Sequence, residues 1–180
     1  MSPDLIILGL PGSGKTTLAE EVARASGLAV TDTDDLVSQA TGMPAHDYLF
    51  AHGQEAFDRA EDEALRDALA RRGIVVVGGG ATDREENVAA ISALRATGVP
   101  VVVTQADPAA LVARLGLNAP RPVGMGAPRR WIREWSEQRH AVWASFDPLL
   151  VSTSNPAGPD IAPVLEALAS RGFSPRCARD

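Results

Sequence analysis

Gly9-Leu10-Pro11-Gly12-Ser13-Gly14-Lys15-Thr16 forms a complete G-x-x-x-x-G-K-[ST] octet. In that pattern backbone N–H groups cradle phosphate oxygens, a lysine reaches the β- and γ-phosphates, and a hydroxyl meets Mg²⁺. Lys15 is the single lysine of a chain with sixteen arginines. An ammonium is a compact point charge, whereas a planar guanidinium would crowd a loop whose glycines bring N–H groups close to the ligand. The implied chemistry is binding of a nucleoside triphosphate such as ATP together with Mg²⁺. A chance match in a glycine-rich turn is the alternative, and the flanks oppose it. Residues 4–8 read as a short buried strand, and Leu18, Val22 and Ala25 give 17–26 a helical spacing. A helix starting there adds free N–H groups and a positive dipole end to the anion site.

Two more signals fit phosphoryl transfer, which needs positioning, a metal that neutralises charge, and a group that orients the nucleophile. In Asp32-Thr33-Asp34 the two carboxylates share a face if the segment is extended, one for the metal's water shell and one for an acceptor hydroxyl. Helix capping by Asp34 or Asp35 is the plainer reading. Gly78-Gly79-Gly80 follows a β-branched run and leaves the backbone open to another molecule, or is simply a flexible turn. Arg121 and Arg139 are candidate clamps for phosphate or a substrate anion, against a default of solvated surface groups.

The elements that must hold these residues alternate. Strands are predicted over 4–8, 28–31, 74–77, 99–103 and 149–151. Helices are predicted over 17–26, 34–41, 55–71 (with Ala56, Ala60, Ala64 and Ala68 as a small-residue stripe), 84–96, 108–115, 129–145 and up to about 171. Such alternation predicts a five-stranded parallel sheet in a three-layer α/β/α sandwich, with ligands at the carboxyl ends of the strands. The loop octet, the Asp32–Asp34 segment and the three glycines all fall at such ends. Residues 116–128 are rich in Pro and Gly without a regular pattern, which predicts a mobile lid. Trp131, Trp135 and Trp143 lie at helical spacings and predict packing of the helix after it.

With 180 residues, 45% of them hydrophobic, the expectation is one domain over 1–172 and a tail over 173–180. No apolar run of spanning length occurs, and the lone Cys177 lies in the tail without a partner. A soluble cytoplasmic protein is expected, outside membranes. A net charge of −6 speaks against a nucleic-acid surface. The expected partner is a small-molecule polyol, and the expected state a monomer. His46, His52 and His140 show no metal spacing.

Gly9 to Thr17, Asp32-Thr33-Asp34, Gly53 with Phe57 and Glu61, Gly78-Gly79-Gly80, Arg121-Pro122, and Arg139 with Trp143 occur in the order and spacing of the shikimate kinases. Nearly the whole chain resembles that family. The resemblance implies a nucleoside monophosphate kinase-like fold and transfer of the ATP γ-phosphate to the 3-hydroxyl of shikimate. It gives Gly12, Ser13, Gly14, Lys15, Thr16 and Thr17 to the nucleotide phosphates, Thr16 and Asp32 to the metal, and Arg114 to adenine. Arg121 would reach the phosphates on lid closure. Asp34 would serve the substrate hydroxyls as base, Gly79 and Gly80 would approach the substrate by their backbone, and Arg139 would bind its carboxylate.

One departure concerns the acceptor. Where the family has Gly-Glu-x-x-Phe-Arg-x-x-Glu, with that arginine on the shikimate carboxylate, this chain has Gly53-Gln54-Glu55-Ala56-Phe57-Asp58-Arg59-Ala60-Glu61. Losing a charge-assisted contact costs about 1.5–3 kcal/mol, and Asp58 adds repulsion. Arg59 sits about 100° further round the helix. Gln54 and the lid's Val123-Gly124 also depart from the family. The resemblance therefore leaves two acceptors: shikimate with Asp58 tolerated, or a neutral or amine-bearing cyclitol or sugar. A nucleotide-binding protein without catalysis is a third reading, which the full set of Lys15, Thr16, Asp32, Asp34 and Arg121 opposes. A large gain in shikimate affinity from Asp58→Arg would mean that the native site was shaped for another acceptor.

Overall fold

β1 (Leu5–Gly9) and β3 (Ile74–Val76) are buried at every position, as unbroken apolar runs in a parallel sheet must be. With β2 (Val30–Asp32), β4 (Val101–Gln105) and β5 (Leu149–Ser152) they form a five-stranded sheet in the order β2-β3-β1-β4-β5, every pair parallel. The computed structural model describes residues 1–114, 128–155 and 157–173. The proposed lid, with Arg121, lies outside the described residues apart from Pro128, and so does Cys177.

Alternation along β1 divides the core in two. Ile6 and Leu8 join Val75, Val77, Val101 and Val103 on one face. There they meet Leu65 of α4 (Gln54–Leu69), Ile91 of α5 (Glu85–Ala96), Leu111 of α6 (Pro108–Arg114) and Trp143 of α7 (Pro128–Ala144). Leu5 and Ile7 face the other way, with Val102 and Val151, onto Leu18 and Val22 of α1 (Lys15–Ser26) and Val164 and Leu168 of α8 (Ala162–Ala169). Helices thus cover both faces of the sheet, giving the three layers expected.

Differences from the expected elements have local causes. β4 begins at Val101 rather than at residue 99 because Pro100 has no N–H to give the ladder, although its carbonyl accepts from Ile6 N at 3.0 Å. β2 runs on to Asp32, and α2 (Thr33–Thr41) starts at the next residue. α3 (Ala45–His52) was not expected at all. None of its residues is buried, and Phe50 is 94% exposed, so it carries no apolar period to read. In α4 the fully buried line is Glu61, Ala64, Leu65 and Ala68, so the C-terminal half of the alanine stripe is buried while Ala56 and Ala60 are half-buried. Trp143 is buried and donates from its indole to Thr82 Oγ1 at 2.8 Å, tying α7 to the turn Ala81–Asp83. Among the described residues no helix is long and apolar enough to cross a membrane.

Candidate active site

The loop after β1 turns through Gly12 (φ 74°) and Gly14 (φ 85°), left-handed conformations that favour glycine, and Gly14 is the residue before α1. Lys15 folds back over the loop, its Nζ donating to Gly9 O at 3.0 Å and Leu10 O at 3.2 Å. Burial lowers the Lys15 pKa, while the carboxylates of Asp34 and Asp32 act in the opposite direction. The loop is braced from the sheet. Ser13 Oγ lies 2.6 Å from Thr104 Oγ1 on β4, and Thr153 Oγ1, just past β5, donates to Ser13 O at 2.5 Å.

A cleft of about 520 Å³ opens over Gly12, Gly14, Lys15, Thr16 and Thr17. Arg114 borders it and donates to Gly12 O at 2.9 Å. Its far wall is Thr153, Asn155, Gly158 and Pro159. These four were not singled out from the sequence, where 155–159 reads only as a Pro/Gly connection. The cleft and its row of loop N–H groups suit a nucleoside triphosphate.

Asp32 and Asp34 are not two residues of one extended segment, as the period-of-two argument had them. Asp32 ends β2 and Asp34 lies in the first turn of α2. The capping residue is Asp32, whose Oδ1 accepts from Asp34 N at 3.0 Å, and not Asp34 or Asp35. Both carboxylates nonetheless act on Lys15. Asp32 keeps Oδ2 free of protein partners among the described contacts, and exposed Thr16 stands at the loop mouth. This donor set fits Mg²⁺, which takes one or two protein oxygens and fills the remaining positions with phosphate and water.

Two of the three glycines have a steric cause within the chain itself. A Cβ on Gly78 would stand 2.7 Å from Glu61 Oε1 and 3.0 Å from Asp34 Oδ1, and one on Gly79 would stand 2.7 Å from Pro11 Cδ. The chain's own atoms thus occupy the space that glycine vacates at these two positions. Around Gly80 the nearest atoms, the Glu61 carboxylate oxygens, are 3.6 and 3.7 Å away, an ordinary contact. Gly78 N also donates to Thr33 Oγ1 at 2.8 Å, which locks the loop to α2.

Arg139, 8% exposed, reaches this loop from α7. Its Nε donates to Gly79 O at 2.7 Å, its Nη2 pairs with Asp83, and the guanidinium lies 4.2 Å over the Trp135 ring. Asp58 turns toward Arg84 Nη1 at 3.3 Å and accepts from Gln54 Nε2 at 2.7 Å. Arg59 pairs with Glu55 at 2.6 Å on an exposed face of α4.

A family model of shikimate kinase matches residues 11–169. The chain is 33% identical to the shikimate kinase of Thermobifida fusca (strain YX), over 84% of this chain and 86% of that protein. It is 35% identical to that of Mycobacterium tuberculosis (strain CDC 1551 / Oshkosh), over 83% and 79%. The chain belongs to the shikimate kinase family. Among solved structures, the shikimate kinase from Acinetobacter baumannii in complex with shikimate superposes with a TM-score of 0.78 at 21% identity, covering 97% of this chain and 96% of that one. The Aquifex aeolicus shikimate kinase gives 0.68 at 20% identity, covering 94% and 98%. At these identities the superpositions speak for the fold.

Within this shikimate kinase family chain, the structure brings Lys15, Thr16, Asp32, Asp34, Gly79, Gly80 and Arg139 to one end of the sheet. It adds Glu61 as a hub. Glu61 is 3% exposed and interacts with Arg84, at 3.3 Å, and with Asp34 and Asp58. Burial pushes its carboxyl pKa up to about 7, Asp34 and Asp58 adding to the rise and Arg84 opposing it.

That shift has a stability consequence. Below the ordinary glutamate pKa both folded and unfolded chains hold the proton, and Glu61 costs nothing. As pH rises toward 7 the unfolded chain ionises first, so the folded state loses stability across that window, up to about 3 kcal/mol. Glu61→Gln is therefore expected to raise the urea midpoint at pH 8 and leave it nearly unchanged at pH 4.5. Equal shifts at both pH values would show that the charge is not the cause.

Proposed function

We propose that this protein is an ATP-dependent shikimate kinase, moving the γ-phosphoryl group to the 3-hydroxyl of shikimate. The observation that carries the reading is the gathering of Asp34, Gly79 and Arg139 beside the Lys15 loop: the Asp34 carboxylate acts on Lys15, Arg139 donates to Gly79 O, and a Cβ on Gly79 would stand 2.7 Å from Pro11 Cδ of that loop. Bound ATP with Mg²⁺ supplies the phosphoryl group and neutralises charge on it. Loop N–H groups and Lys15 hold the phosphates. Thr16 and Asp32 provide oxygens for the metal and its water shell. Asp34 takes the hydroxyl proton as the new O–P bond forms and the bond to the β-phosphate bridge breaks. Arg139, already aimed by Gly79 O and Asp83, keeps N–H groups for the acceptor's carboxylate. The acceptor is a small polyol and the working unit a monomer. Arg121, outside the described residues, is assigned to the phosphates through the resemblance alone.

The test is ADP release by the purified protein with Mg²⁺-ATP, offered shikimate beside neutral and amine-bearing cyclitols and sugars. Saturable turnover of shikimate at sub-millimolar concentration is expected. Silence on shikimate with turnover of another polyol would transfer the mechanism to that acceptor.

A further inference from the structure

Arg84 is the residue before α5, in extended conformation (φ −106°, ψ 131°), and its side chain reaches back to α4. Nε meets Asp62 Oδ1 at 2.5 Å, Nη1 meets Asp58 Oδ1 at 3.3 Å, and Nη2 meets Glu61 Oε2 at 3.3 Å. Asn87 Nδ2 also donates to Asp62 Oδ1 at 2.7 Å, which fixes the carboxylate that anchors Arg84. The guanidinium is thus held tightly at Nε and loosely at both Nη ends. Five N–H groups minus these three contacts leave two unengaged among the described residues.

The side chain is 22% exposed, and its partner Glu61 lies against Gly78 and Gly80. One hydrogen-bond link therefore separates Arg84 from the glycine loop that Arg139 grips by Gly79 O. Asp34 stands at the same loop, within 3.0 Å of the point a Gly78 Cβ would occupy. Glu61, which pairs with Arg84, also acts on the charge of Arg139, so both guanidinia border the loop on which an acceptor at Asp34 and Gly79–Gly80 would rest. With a pKa of about 7, Glu61 also carries a proton for much of the time at neutral pH, which loosens its hold on Nη2. Asp58, Glu61 and Asp62 of α4, Asp34 of α2, Asp83 of the preceding turn and Arg139 of α7 are the charged groups around it.

We propose that Arg84 is the second guanidinium reading the carboxylate of the acceptor, and that Asp58 is a positioning residue that steers Arg84 instead of facing the substrate. This rests on the reading of the acceptor as shikimate. It also reverses the expectation for Asp58→Arg. A cation at 58 meets Arg84 head-on, and shikimate affinity falls.

The experiment compares wild type, Arg84→Gln, Arg84→Lys and Asp58→Asn on shikimate and on its carboxamide, whose ring hydroxyls are unchanged and whose anion is gone. Arg84→Gln is expected to raise the KM for shikimate about 10- to 100-fold, the range for one charge-assisted contact, with the KM for ATP unchanged. On the carboxamide the same variant should differ from wild type by less than about threefold, because a carboxamide offers no anion to pair. Arg84→Lys should recover part of the loss, and Asp58→Asn should raise the shikimate KM less than Arg84→Gln does while sparing kcat. Should Arg84→Gln not fold, Arg84→Lys carries the same comparison, since it keeps the charge and gives up the fork. Equal penalties on both acceptors would reduce Arg84 to a structural role and overturn the proposal, as would no penalty on either. Wild-type silence on shikimate overturns the acceptor reading itself, and this proposal with it.

Discussion

Asp34→Asn is expected to lower kcat with shikimate by about 10² to 10⁴, the range for losing a positioned general base, with little change in the KM for ATP. Asn preserves the shape and the place in the first turn of α2, so the Asp32 cap to the residue 34 N–H survives. What it removes is the ability to take a proton. Burial raises the Asp34 pKa, and Lys15, the cation that also serves the phosphates, counters that rise. The rate comparison is made at saturating concentrations of both substrates. A loss below tenfold would mean that the hydroxyl proton leaves by another route and that Asp34 only orients the acceptor. Asp34→Ala, compared with Asn, separates the hydrogen bond from the charge: similar losses in both would assign the effect to the charge.

The sheet and the phosphate loop were legible because they depend on local signals: β-branched runs buried on both faces, and an octet whose spacing is dictated by one ligand. α3 was not legible, because an element with no fully buried residue leaves little periodic trace. The acceptor wall was legible only in part. From the sequence Asp58 is a carboxylate set against a carboxylate. In the fold it is one of three acids around Arg84, which lies 26 residues further along and matches no motif. Glu61 could be matched to a pattern, but its charge state depends on burial and on Asp34 and Arg84 from other elements. Side chains that meet through tertiary structure carry no spacing rule. The same limit explains Gly78 and Gly79, whose lack of a side chain answers to Glu61, Asp34 and Pro11 rather than to a ligand alone.

Lys15→Met should cost about 10² to 10³ in kcat, the loss expected when a preorganised donor to developing charge is removed from a water-poor site. The ammonium already gives two N–H groups to Gly9 O and Leu10 O, so the third is directed by the first two rather than by the ligand. Preorganisation of this kind acts more on the transition state than on ground-state binding, so the fall in kcat should exceed the rise in the KM for ATP. Lys15→Arg should not rescue the rate. Lys15 Cγ lies 3.3 Å from the point a Gly9 Cβ would occupy, and a forked head in so tight a turn cannot keep both carbonyl contacts. Burial also works against the lysine's charge, so Met should leave the folded state at least as stable as the wild type in thermal unfolding. A variant that loses turnover while keeping or raising its Tm would identify Lys15 as a residue held for the phosphates. Parallel loss of both would point instead to collapse of the loop.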